Sequence, residues 1–172
     1  MNNLIRTVRD LTEKVSLERG KPILLAIYVP DSIGACYEIG LDVKKWLNED
    51  LVDIVSIGGS PDENQAGSLP ANFQSYKNGV AEYNSYDVPV YIVMDELGYI
   101  QEKHDEIKEA ALMYASGADG IYLYNYFNVK DEIFKKLGTA ETTGPVDPTY
   151  ASQVRKQKSN MFKGVSEYLN FN

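Results

Sequence analysis

Four times along this chain a short apolar run gives way to a stretch of helical period, and this alternation limits the fold more than any motif does. The first run, Pro22 to Val29, is bounded by Pro22 and Pro30 and has the near-continuous apolar character of a strand buried on both faces of a parallel sheet. Val52 to Ile57, Val88 to Met94 and Ile121 to Tyr124 supply three more. Helical spacing fills the intervals. One stretch is 34–48, with Val43, Trp46 and Leu47 on one face and Asp42 as N-cap of its later part. The next covers about 70–84, behind Ser68 and Pro70, and a third about 104–116, with Ile107, Ala110, Ala111 and Tyr114 on one face and Gly117 at its end. A short helix behind Asn128 and Asp131 stops at Gly138, and Asp147-Pro148 opens a last one carrying Tyr150, Val154, Met161, Val165 and Leu169. Ahead of all these, 3–19 places Leu4, Val8, Leu11 and Val15 on one helical face, closed by Gly20. Strands alternating with helices mean right-handed crossovers and a parallel sheet. The fold class is α/β, four strand–helix units plus a leading helix.

At 172 residues the chain can bury a core without staples, and residues 1–172 read as one domain. The single cysteine, Cys36, excludes an internal disulfide and a cysteine zinc site; the single histidine, His104, excludes a histidine metal cluster. No metal and no cofactor are expected. A net charge of −8 argues against nucleic acid and anionic membrane as partners. No apolar run approaches the roughly 20 residues needed to cross a bilayer, and the charged stretch from Met1 to Gly20 is not a signal peptide.

A doubly wound sheet that binds nucleotides carries a glycine-rich turn after its first strand. Here that turn reads Val29-Pro30-Asp31-Ser32-Ile33-Gly34, without G-x-G-x-x-G or a P-loop lysine, and Gly58-Gly59-Ser60-Pro61 reads as a plain turn after a strand. The other parallel architecture, the (β/α)8 barrel, has eight units. Four units and a leading helix amount to half of one. Half a barrel exposes two strand edges and an apolar inner face. Such a chain pairs with another copy, belongs to a longer protein whose N-terminal half is missing here, or closes by itself as a small open sheet.

Gly40-Leu41-Asp42-Val43-Lys44-Lys45-Trp46-Leu47, then Leu51-Val52-Asp53-Ile54-Val55, resemble the glycoside-hydrolase-like barrel proteins common in bacteria, as does Gly117-Ala118-Asp119-Gly120-Ile121-Tyr122-Leu123-Tyr124-Asn125-Tyr126-Phe127. In that family a similar helix precedes the sixth strand and a similar stretch forms the eighth. The resemblance covers most of residues 3–137 and matches the family's C-terminal half. It implies the C-terminal half of a TIM (β/α)8 barrel, carbohydrate as the partner, and hydrolysis of glycosidic bonds by the parent barrel. Such enzymes flank the scissile bond with two carboxyl groups. In related barrels the acid/base usually ends the fourth strand and the nucleophile a later one, often the seventh. The resemblance therefore puts the later carboxylate at Glu96 or Asp95, at the C-terminal end of the strand 88–94, the catalytic end of such a barrel. The fourth strand lies outside this sequence, so the partner carboxylate is missing. A secreted parent would carry its signal ahead of residue 1, which leaves the compartment open.

Alternation sends only one of Asp95 and Glu96 inward, as nucleophile or sugar ligand; the competing reading has both capping the loop that follows. Asp31 follows the first strand and either binds sugar hydroxyls or closes an Asx-turn after Pro30. If Ile121 and Leu123 point into a barrel, so does Asn125, whose amide then reaches a ligand. Sugar rings stack on aromatic faces, and Tyr28, Tyr99, Tyr124 and Tyr126 lie near strand ends. Trp46 and Cys36 read as core residues, and His104 as a solvated helix start. Two functional classes fit: a glycoside-hydrolase-like half, and a non-catalytic carbohydrate-binding or assembly module. Glu96→Gln separates them, because an enzyme loses orders of magnitude in rate and a binding module keeps most of its affinity.

Overall fold

The structure is a computed structural model and describes residues 1–58, 73–95, 105–124 and 131–149. In chain order its elements are α1 (Asn2–Arg19), β1 (Ala26–Val29), α2 (Ile33–Glu38), α3 (Val43–Asn48), β2 (Ile54–Ile57), α4 (Phe73–Asn84), β3 (Val90–Asp95), α5 (Glu106–Ala115), β4 (Gly120–Tyr124), α6 (Asp131–Leu137) and α7 (Ala140–Thr143). The four strands form one parallel sheet in the order β1-β2-β3-β4. An order that follows the chain, with every crossover of one hand, puts the helices on a single face. A doubly wound sheet instead reverses at a switch point.

The helix-facing side carries the core. Val29, Val55, Ile57, Val90, Ile92 and Met94 pack with Trp46, Tyr76, Val80, Tyr83, Ala110 and Met113, and Ile27, Ile121 and Leu123 adjoin them. Each fully buried aliphatic side chain here contributes roughly 1.5–3 kcal/mol. Two aspartates of the motif-bearing stretches fasten neighbouring strands where the strands begin. Asp53 accepts the Leu25 N–H at 2.6 Å, and Asp119 accepts the Val90 N–H at 2.8 Å. Their work is structural, at the end of the sheet opposite the one where barrel enzymes keep their chemistry.

Three expectations change. The run 22–29 does not form a strand buried on both faces: pairing begins at Ala26, and Ala26 and Tyr28 are exposed, because β1 is an edge strand and, among the described residues, no helix covers its other face. The single helix expected over 34–48 is two, since Gly40 adopts φ 83°, a left-handed conformation that ends the first. Asp42 holds the N-cap position of α3, but its carboxylate accepts from the Asn2 amide instead of capping the helix. The helix expected from Asp147-Pro148 lies, beyond Thr149, outside the described residues.

The leading helix forms as expected and ends at Gly20. It docks through a polar face. Trp46 donates to Asn2 at 2.8 Å, Arg6 makes a forked pair with Glu49, and Arg9 pairs with Asp53 at 2.9 Å while donating to the Leu51 carbonyl. Leu4 and Leu11 stand exposed, with Val8 and Val15 only half-buried. Among the described residues no helix is long and apolar enough to cross a membrane.

Candidate functional site

The face of the sheet turned away from the described helices carries tyrosines. Register sets Tyr28, Ser56, Tyr91 and Gly120 at one level, and alternation adds Val93 and Tyr122, then Tyr124. A side chain at Gly120 would meet the Tyr91 ring at 2.9 Å, so the glycine is what lets that ring lie across β4. Tyr28, Tyr122 and Tyr124 keep more than two-fifths of their surface exposed.

Tyr28 stands on one edge strand and Tyr122 and Tyr124 on the other, yet their ring centroids lie 6.5 and 6.0 Å apart. In a flat sheet three gaps of about 4.8 Å would hold the two strands about 14 Å apart, and side chains standing perpendicular to it would not converge. The rings therefore converge over this face through curl of the sheet, through side chains that lean along it as Tyr91 does, or through both. Along the ladder the partner of Tyr28 on β4 is Gly120, whereas the rings it meets belong to residues two and four further along. The rings that meet are thus staggered along the strands. The result is an aromatic face near the C-terminal strand ends, offering aromatic surface and hydroxyl groups together, the mix that holds a ligand with one apolar and one polar side.

Beside it the loop after β1 is clamped to α2 and α4. Tyr83 donates to the Pro30 carbonyl at 2.9 Å and lies 3.2 Å from the Cys36 sulfur; Glu82 accepts the Ile33 N–H. Ser32 caps α2 by accepting the Ala35 N–H. Asp31 is buried in this loop, and burial raises its pKa; a bond from its own backbone N–H opposes the rise, and nearby Glu82 adds to it. Burial likewise raises the Cys36 thiol, leaving it an inert packed sulfur. A carboxylate whose pKa is higher folded than unfolded binds its proton more readily in the folded state. Its contribution therefore makes stability fall as pH rises from 3.8 through its raised value. Asp31→Asn removes that fall. The variant is expected to be more stable than the parent at pH 7 and to match it well below pH 3.8, as denaturant melts across pH will show. A variant less stable at pH 7 would mean the ionised group is needed by the fold.

Of the residues singled out in the sequence, the structure brings Tyr28 and Tyr124 together and sets Asp31 among the helix-side groups Glu82, Cys36 and Tyr83. Asp95 ends β3, its backbone paired in register with Tyr124. Glu96, Tyr99, His104, Asn125 and Tyr126 lie outside the described residues. The inward parity assumed for the last strand is reversed. Ile121 and Leu123 adjoin the core under the helices, and Tyr122 and Tyr124 take the aromatic face. Tyr122 was missed for that reason; its signal was its spacing of two from Tyr124. Trp46 and Cys36 are core residues, as read. Among the described residues no three His, Cys, Asp or Glu side chains are grouped to hold a metal ion. No protein-family model matches the chain, and no curated protein matches it with significance.

Proposed function

We propose that the chain is the C-terminal half of a glycoside-hydrolase-like (β/α)8 barrel, and that its tyrosine face binds carbohydrate. One observation carries the reading, the meeting of Tyr28 with Tyr122 and Tyr124. A barrel of this type has a shear of 8 over eight strands, about one residue per strand and so about three from β1 to β4. The rings that meet Tyr28 sit two and four residues past its ladder partner, on either side of that value. The sequential strand order and single helix layer support the same reading. The tyrosines stand near the C-terminal strand ends, where such barrels bind substrate, and their faces suit the apolar face of a pyranose ring.

Hydrolysis belongs to the completed barrel. The carboxylate this half contributes is Asp95, which ends β3 with its backbone in register with Tyr124, or Glu96, the next residue in the sequence; the acid/base partner comes from the other half. The chain alone is expected to bind without turnover. Calorimetric titration with cellohexaose, xylohexaose, chitohexaose and maltohexaose tests this. At least one should bind, and Tyr28→Ala or Tyr124→Ala should weaken it about tenfold, or about 1.4 kcal/mol. Binding of none, or equal binding by both variants, would overturn the proposal.

A further inference from the structure

Apart from Tyr37 and Ile39 at the end of α2, the large exposed apolar residues among the described ones lie on elements at the two edges of the sheet. On the β1 side are Leu4 and Leu11 of α1, Leu24 and Tyr28; on the β4 side are Tyr122, Tyr124 and Phe134. A soluble chain that gathers its exposed apolar surface in this way is presenting an interface. The backbone points the same way. Leu25 and Val29 turn their carbonyls to β2, so the alternate residues Ala26 and Tyr28 turn their polar groups outward from the β1 edge. Asp119 donates to the Val90 carbonyl, so Gly120, Tyr122 and Tyr124 do the same at the β4 edge. Among the described residues no strand pairs with either edge. Helix α1 docks beside α3 and leads into β1, which makes it the next helix round the layer, placed over the seam between β1 and a strand that this sheet does not supply. Its uncovered stripe, Leu4 and Leu11 with Val8 and Val15, is what such a seam would bury.

We infer that a second copy of this chain fills both edges, the β4 of each pairing with the β1 of the other to close an eight-stranded barrel. The inference rests on the half-barrel reading and adds its occupant. The two edges are complementary to each other, since all strands are parallel and a two-fold axis along the barrel makes both joints at once. The two- and four-residue stagger of the ring contacts brackets the roughly three expected over three strand steps of an eight-stranded barrel, so the joints are expected to complete a ring and not to run on as a filament. Closure encloses the tyrosine faces of both copies but does not supply the acid/base of a parent's fourth strand, so the dimer is still expected to bind without turnover. Each copy brings its tyrosine face and the C-terminal end of its β3 to one shared interior.

Light scattering behind a sizing column, on the full chain from 5 to 200 μM, tests this. The expected mass is twice that of the chain. Ala26→Pro removes an outward N–H at the β1 edge and leaves the β1–β2 ladder intact. The double variant Leu4→Glu/Leu11→Glu changes only exposed positions. Each should raise the dimer dissociation constant at least tenfold, with an unchanged far-ultraviolet circular dichroism spectrum. A single-chain mass at every concentration, a ladder of larger masses, or a dimer indifferent to both variants would overturn the inference. The sugar titration fails separately. A monomer that still binds through Tyr28 and Tyr124 ends the closure and keeps the carbohydrate reading, whereas a closed dimer that ignores all four sugars ends the carbohydrate reading alone.

Discussion

Gly79→Ala is expected to destabilise the fold by about 3 kcal/mol. In the interior of a helix this exchange ordinarily stabilises, by about 0.5–1 kcal/mol. Gly79 of α4 is different because of what faces it. A Cβ there would lie 2.6 Å from the Asp31 carbonyl oxygen and 3.1 Å from the Ile57 side chain. The nearer atom is backbone, held by the Tyr83 bond to the Pro30 carbonyl and the Ile33 N–H bond to Glu82. Those bonds tie the loop to α4 itself, so loop and helix cannot part to make room for the methyl group without stretching them. Gly34→Ala, in α2 with open space around it, is the control and should be neutral or stabilising. Urea melts of the two variants check the pair, and equal effects would show that the close approach of α4 is not rigid.

The second large effect is Tyr76→Phe. Tyr76 and Glu109 are both buried between α4 and α5, and the hydroxyl donates to a Glu109 carboxyl oxygen at 2.8 Å. Hydrogen bonds to charged groups contribute about 1.5–3 kcal/mol, and a buried acceptor that loses its donor bears a desolvation cost. A loss of about 2 kcal/mol is expected, with little change in shape since only the oxygen is removed. Thermal melts at pH 7 will read it. Double removal with Glu109→Gln should cost less than the sum of the single variants, because each partner accounts for part of the other's loss.

The alternation of strand and helix was readable because each period is set by burial on one side, and burial repeats every two or every 3.6 residues. Less readable was anything that depends on which elements are neighbours. Pro22 to Val29 looks like a central strand by composition, yet the sheet pairs only its last four residues and leaves it at the edge. The apolar face of 3–19 predicts the helix correctly but not its docking, which uses Asn2, Arg6 and Arg9 and leaves Leu4 and Leu11 outside. In the last strand both alternating sets, Ile121/Leu123 and Tyr122/Tyr124, are apolar enough to be core. Periodicity could not choose between them, and the choice decides which side chains line the site. Tyr28 and Tyr124 were found from their places at strand ends. That their rings meet follows only from the sheet's geometry and the stagger of the rings, which no local pattern encodes.

Whether Tyr28, Tyr122 and Tyr124 act as one carbohydrate-binding face is read from the ring resonances of a chain carrying ¹³C-labelled tyrosine, assigned by single Tyr→Phe variants, during titration with the four hexasaccharides. One of these sugars should move the resonances of Tyr28, Tyr122 and Tyr124 together with a common dissociation constant, while the buried Tyr76 and Tyr83 stay in place. Shifts confined to other tyrosines, or no shift with any of the four sugars, would contradict the carbohydrate reading.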